Sequence, residues 1–177
     1  KRDNFSGADY YLRELEEGGA LLDEVQEALP VARAHFFIEQ KQYASAIPSL
    51  RTAVDRAPTR RMKGRYAFVL AQILEMQQDY DGAFAAYRNA ASYSPDYSME
   101  FHAALRNEEM AWEIGRTNSQ EALRQLEKML KDEKNTEYQD EIYFTMAKIA
   151  LKSGKPDLAV EYFQKALDPE TNPDPGI

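Results

Sequence analysis

The side chains that could perform acid–base or nucleophilic chemistry in this 177-residue chain are few and scattered. Its two histidines, His35 and His102, lie far apart, and there is no cysteine to act as a nucleophile or a thiolate ligand. Neither a glycine-rich phosphate loop nor a nucleophile elbow occurs. The sequence therefore predicts no catalytic residue, no cofactor and no metal site, and we do not expect an enzyme.

Acidic residues outnumber basic ones by 30 to 22, which gives a net charge of −8. Neighbouring carboxylates such as Glu108 and Glu109 do not form acid–base pairs on a helix, because successive side chains point about 100° apart. An acidic balance argues against general nucleic-acid binding, which needs a basic surface. No apolar run approaches the roughly 20 residues that span a bilayer, so no membrane span is expected.

One short segment, residues 56–65, reverses the acidic balance with a cluster of basic residues. This cluster could dock an acidic partner or an anionic headgroup. It could equally be an exposed turn whose charges stabilise the ends of neighbouring helices. We call it the basic patch, and its residues are Arg56, Arg60, Arg61, Lys63 and Arg65.

A recurring pattern of small and large residues organises the whole chain. Its clearest copy, residues 78–95, places Ala83, Tyr87 and Ala90 on one face of a helix, where a second helix can approach closely. The first small residue of each copy recurs at intervals of 38, 37, 39 and 37 positions. A fixed period of this length indicates a repeat array. The five small residues are Ala8, Ala46, Ala83, Ala122 and Ala159.

A second helical pattern lies between the copies, separated from them by short polar turns, and short connections favour antiparallel pairs. The sequence therefore predicts an all-α, right-handed solenoid of antiparallel helix pairs with about nine helices, over residues 1–168. We expect the segment after residue 168, which is rich in proline, to be a linker or tail. The expected ranges are a half repeat at 1–19, full repeats at 20–58, 59–95, 96–135 and 136–168, and a tail at 169–177.

Helix pairs with Ala-x-x-x-(aromatic or Leu)-x-x-Ala and a terminal proline resemble tetratricopeptide repeats. The resemblance extends from Phe5 to Leu167 and is strongest over residues 66–95 and 143–166. The period is three to five residues longer than the usual 34, which one extra helical turn or a longer loop would explain. The resemblance implies a scaffold that binds proteins.

A narrower resemblance rests partly on loops. The sequences 43–50, 63–73, 94–101 and 128–140 are similar to the repeat region of PorW/SprE-type lipoproteins, which belong to the gliding-motility and type IX secretion machinery of Bacteroidetes. This resemblance implies a protein on the periplasmic side of the outer membrane, with a lipid anchor outside these residues. The chain lacks an initiator Met, so we expect it to be a fragment of a longer protein.

In arrays of this kind the first helix of each pair lines a concave groove. Each first helix has one key small residue, and these are Ala34, Ala71, Ala104 and Ala147. We expect the residue three positions before it and the residue directly after it to face that groove and contact a peptide or helix. Some of the phenylalanines could instead belong to the core. The expected groove residues are Val31, His35, Phe68, Gln72, Phe101, Leu105, Phe144 and Lys148.

Two other functions fit the composition. A cytosolic tetratricopeptide adaptor or regulatory module would use the same groove, although the lysine and asparagine of a chaperone carboxylate clamp are replaced here by phenylalanine and valine. A helical-repeat glycan-binding lipoprotein would need exposed aromatic platforms, and Trp112 is the only tryptophan.

Overall fold

The computed structural model of the protein describes residues 3–18 and 23–168, and the tail predicted at 169–177 lies outside them. The described residues form nine α-helices and one short 3-10 helix, an all-α solenoid. No described helix is long and apolar enough to cross a membrane. The α-helices are α1 (Asp3–Glu17), α2 (Asp23–Glu39), α3 (Tyr43–Asp55), α4 (Arg60–Met76), α5 (Tyr80–Tyr93), α6 (Tyr97–Glu113), α7 (Ser119–Lys131), α8 (Gln139–Lys152) and α9 (Pro156–Ala166), with the 3-10 helix at Glu133–Tyr138.

Side-chain caps and a proline fix several helix starts. Thr59, Asp79 and Asn118 each accept a hydrogen bond from the backbone N–H three residues later, at the starts of α4, α5 and α7. Such caps satisfy N–H groups that have no partner within the helix. Pro156 begins α9, where its missing N–H costs nothing.

The chain divides into two compact units, and the first is Lys1–Glu100. Its recurring alanines are helix-packing contacts: Ala46, Ala83 and Ala90 are fully buried. Tyr87 lies among them, 1% exposed, with its ring edge against Phe68 at 5.7 Å between centroids. Small residues let the helices of each pair approach closely, and the large residues between them fill the remaining space.

Gly64 in α4 marks a close approach to the end of α5. A Cβ at Gly64 would lie 3.2 Å from the carbonyl carbon of Tyr93 and 3.3 Å from the nitrogen of Ser94. We expect Gly64→Ala to lower the free energy of unfolding by about 1 kcal/mol, because the clash with backbone atoms outweighs the gain in helix propensity. Gly7→Ala in α1 is the matched control: no atom lies within 4 Å of its Cβ position, so urea unfolding should show stabilisation. A stabilising Gly64→Ala would contradict the close approach.

The second unit is Phe101–Ile177, into which α6 continues from the first. The ring of Phe101 stacks on Tyr138 of the 3-10 helix, 4.3 Å between centroids. Within the 3-10 helix, the buried Asn135 side chain donates to the Met129 carbonyl at 2.8 Å and so satisfies the end of α7. The core of this unit consists of Phe101, Leu105, Ala122, Leu123, Leu126, Ile142, Met146 and Ile149.

Candidate partner-binding cleft

The helix bounds fix the register of the first helices. Helices α2, α4 and α6 each contain 17 residues and begin at residues 23, 60 and 97, which is a period of 37. Helix α8 ends at Lys152, 39 residues after the end of α6. The three turns within pairs at residues 40–42, 77–79 and 153–155 are short, so the extra length of the repeat lies in the helices.

This register corrects the expected alignment of the third repeat by four residues. Counting from the helix ends, the counterpart of Ala71 in α4 is Glu108, and not Ala104. The groove positions of α6 are therefore Leu105 and Glu109, where the sequence pattern indicated Phe101 and Leu105. The error arose because a charged residue occupies the position that is small in the other repeats.

In the first unit, the groove positions differ in exposure. His35 and Gln72 are exposed, whereas Val31 and Phe68 are half-buried. Phe68 packs on Tyr87, so it contributes to the core as well as to the surface. The polar positions are open to a partner, and the apolar positions are only partly so.

In the second unit, the structure separates core residues from accessible ones. Phe101 and Leu105 are 2% and 3% exposed, so the expectation that they contact a partner does not fit their positions in the core. Phe144 is 52% exposed, and its ring edge lies against Phe163 of α9, 5.7 Å between centroids. Lys148 is half-buried. Of the aromatic row expected along the groove, Phe144 is the member most accessible in this unit.

These residues border a cleft of about 550 Å³ in the second unit. Three of the expected groove residues, Leu105, Phe144 and Lys148, come together there. Phe163 and Leu167 of the last helix pair also line the cleft, and the repeat pattern gave no indication of them. Its polar lining includes Arg106, Asp140, Glu141 and Thr145.

A buried carboxylate holds one side of the cleft in place. Glu109 is 3% exposed, and it accepts hydrogen bonds from Arg106 on its own helix and from Lys148 on α8. Removing a carboxylate from water is costly unless the charge is paired, and here it is paired twice. Lys148 therefore stabilises the buried Glu109 carboxylate beside the cleft, in addition to any contact with a partner.

Two further pairs of an acidic and a basic side chain connect the same helices. His102 Nε2 lies 3.1 Å from Glu141 Oε1, and the Lys152 ammonium donates to Glu113. With Glu109–Lys148, each pair joins residues 39 apart, so α6 and α8 lie side by side in parallel and in register. We call these three pairs the charge ladder. An acid on one helix faces a basic residue at the equivalent position of the other.

Glu108 occupies the position that is small in the other first helices, and burial raises the pKa of its carboxyl while the Lys128 ammonium partly opposes this. A raised pKa means that the folded state binds the proton more tightly than the unfolded state, so stability falls as pH rises from about 4.5 through the folded pKa. We expect Glu108→Gln to stabilise the fold at pH 7 and to do so less at pH 4. Urea unfolding at both pH values measures this, and an equal effect at both would contradict it. Glu137→Gln, at an exposed position, is the control.

The basic patch is divided in the structure. Arg60 donates to the Ser92 carbonyl near the end of α5, and the Lys63 ammonium lies 5.0 Å from the centre of the Tyr93 ring. These two contacts favour the helix-end interpretation, since cations stabilise a helix C-terminus. The other three members, Arg56, Arg61 and Arg65, are exposed.

Other sites are not supported within the described residues. No group of three or more histidine, aspartate or glutamate side chains there could hold a metal ion. Trp112 is half-buried against the core of the second unit, and the Lys152 ammonium lies 5.7 Å from its ring centre. It is therefore a poor platform for a sugar ring.

The chain was compared with curated proteins, solved structures and protein families. No curated protein matches the chain. A crystal structure of MamA is similar, with a TM-score of 0.64 and 18% identity over 94% of this chain and 88% of that chain. A second structure, MamA MSR-1 C2, has a TM-score of 0.58 and 19% identity over 93% and 91% of the two chains. These identities show a shared fold only.

Two family models described as tetratricopeptide repeat match residues 31–97 and 140–168. Together they cover just over half of the chain. The matches support the tetratricopeptide resemblance and leave the narrower one, to PorW/SprE-type lipoproteins, without support. The chain is therefore a protein of tetratricopeptide repeats, with the fold that the small-residue pattern indicated.

Proposed function

We propose that this protein is a non-enzymatic scaffold that binds a protein partner through the cleft of the second unit. The observation that carries the proposal is Phe144, a large apolar side chain that is half exposed beside the apolar Phe163 and Leu167 and is rimmed by charged groups. Exposed aromatic residues in a concave, charge-rimmed site are typical anchors of protein interfaces.

Capture of partners by the tagged chain from an extract of the source cells tests this function. We expect Phe144→Ser combined with Leu167→Ser to reduce the captured amount by roughly tenfold, because both remove apolar area that a partner would bury. Met76→Ser is the matched control: Met76 is 57% exposed but lies in the first unit. Circular dichroism checks that the double variant is folded. Undiminished capture by the folded variant would contradict the proposal.

We also propose a location for the scaffold, on the periplasmic side of an outer membrane within a secretion or gliding-motility complex. The proposal rests only on the resemblance of the sequence to PorW/SprE-type lipoproteins, part of which lies in residues 131–139, and the family models do not extend to it. Fractionation of the source cells with an antibody to this chain tests the location: the protein should be recovered with outer membranes. Recovery in the cytosolic fraction would favour the alternative, a cytosolic adaptor that uses the same cleft.

A further inference from the structure

Helix α9 exposes an apolar stripe whose counterpart one repeat earlier is buried. On α7 the stripe packs in the core against α8. The period between the second helices is 37, from Ala122 to Ala159, so the same stripe recurs on α9. There, Val160 is 54% exposed and Leu167 is 82% exposed. The stripe is Leu123, Leu126 and Leu130 on α7, and Val160 and Phe163 on α9 with Leu167 directly after its last residue.

The first helices show the same contrast. Leu105 of α6 is buried in the core with residues of α8, whereas its counterpart on α8, Phe144, is half exposed. Leu151 of α8, the counterpart of the half-buried Trp112, is 52% exposed. We call the four exposed residues and the half-buried Phe163 between them the end face: Phe144, Leu151, Val160, Phe163 and Leu167.

Helix α8 serves as a template for what covers such a face. Ile142, Met146 and Ile149 are its core residues, at a helical spacing of four and three. Its acidic and basic residues form the charge ladder with α6, and each rung places an acidic residue opposite a basic one at equivalent positions. A helix that covers the end face in the same way therefore meets Glu141, Lys148 and Lys152 of α8.

We propose that the end face docks an amphipathic helix of the partner protein, parallel to α8. This inference rests on the proposed scaffold function and specifies the partner's chemistry. The partner helix carries apolar residues at positions i, i+4 and i+7, which repeat the core pattern of α8. It carries a basic residue at i−1, facing Glu141, and acidic residues at i+6 and i+10, facing Lys148 and Lys152.

The chain itself supplies the probe. Residues 133–152 with Glu141→Lys, Lys148→Glu and Lys152→Glu contain the proposed pattern, and this segment is appended after Ile177 of the full chain through a flexible Gly/Ser linker. The linker provides an effective concentration in the millimolar range, which offsets the cost of ordering a short helix. We expect Tm to rise by at least about 3 °C over the chain that carries the linker alone.

Two controls decide whether the gain comes from the end face. The appended segment with unaltered α8 charges should give a smaller rise, because its lysines would face Lys148 and Lys152. Val160→Asp with Leu167→Asp, both at exposed positions, should abolish the rise. No rise, or a rise that survives these two substitutions, would overturn the inference.

The same protein separates this inference from the proposed function. If the appended helix docks and displaces captured partners, the partner uses the end face. If it docks and the partners stay bound, the inference fails, and the cleft fails with it, because Phe144, Phe163 and Leu167 belong to both. If it does not dock but Phe144→Ser with Leu167→Ser still reduces capture, the proposed function stands and only the inference fails. If the wild-type chain captures no partner at all, the proposed function fails independently of the rise in Tm.

Discussion

Replacing Arg106 and Lys148 together by methionine is expected to lower the free energy of unfolding by about 3–5 kcal/mol, because it leaves the buried Glu109 carboxylate without a charged partner. Both basic side chains reach Glu109 from partly exposed positions, whereas the Glu109 side chain is only 4% exposed. The loss of stability therefore comes from the unpaired Glu109 carboxylate and not from the missing basic side chains. Urea unfolding at pH 7 measures it.

Adding Glu109→Leu to this double variant is the control. Removing the stranded carboxylate should recover most of the lost stability, since a buried charge network can often be replaced by apolar residues of similar size. A double variant within about 1 kcal/mol of wild type would show that Glu109 is not held as an ion pair. A triple variant no more stable than the double would show that the loss came from packing.

Tyr87→Ala is expected to lower the free energy of unfolding by about 3–5 kcal/mol, the usual cost of emptying a buried aromatic site. Tyr87 is 1% exposed at the centre of the α4–α5 pair, and it packs edge-on against Phe68. The fully buried Ala83 and Ala90 on either side along α5 have side chains too short to fill the space. Thermal and urea unfolding both report the loss.

Tyr87→Phe separates the contribution of the ring to stability from that of the hydroxyl, because it keeps the ring and removes the hydroxyl. The Tyr87 hydroxyl donates to Glu75 Oε2 at 2.8 Å, and the loss of one such bond should cost about 1 kcal/mol. If the phenylalanine variant is as unstable as the alanine variant, the hydrogen bond and not the packed ring would hold this helix pair together.

The helix pairs could be predicted from the sequence because small residues recur where the helices pack closely. Ala46, Ala83, Ala122 and Ala159 recur at nearly constant intervals, and all four are buried. A buried alanine permits close approach of two helices, so its position is a direct consequence of the fold. This pattern alone was enough to indicate tetratricopeptide repeats.

The register of α6 could not be predicted in the same way. Glu108 replaces the small residue, and a carboxylate carries no information about close helix packing. The Lys128 ammonium of α7 partly opposes the effect of burial on the pKa of Glu108, a tertiary interaction that spacing along α6 cannot reveal. The pattern placed Ala104 at this position instead, and this shifted the alignment by four residues, about one helical turn.

The cleft was predicted in part. The repeat pattern identified Phe144 and Lys148, but it missed Glu109, whose pairing with Lys148 follows only from the correct register. Phe163 and Leu167 were missed because second helices were expected to bury their apolar stripes. Whether a neighbouring helix covers a stripe is a property of the assembled structure, and the stripe itself looks the same on α7 and α9.

The central claim is that a protein partner binds in the cleft of the second unit, and site-specific photo-crosslinking tests it most directly. A photoreactive phenylalanine analogue at position 144 lies in the cleft, and the same analogue at the exposed Met76 position of the first unit serves as the control. After irradiation in an extract of the source cells, we expect a discrete protein adduct from position 144 and none from position 76. An adduct from position 76 with none from position 144 would contradict the account.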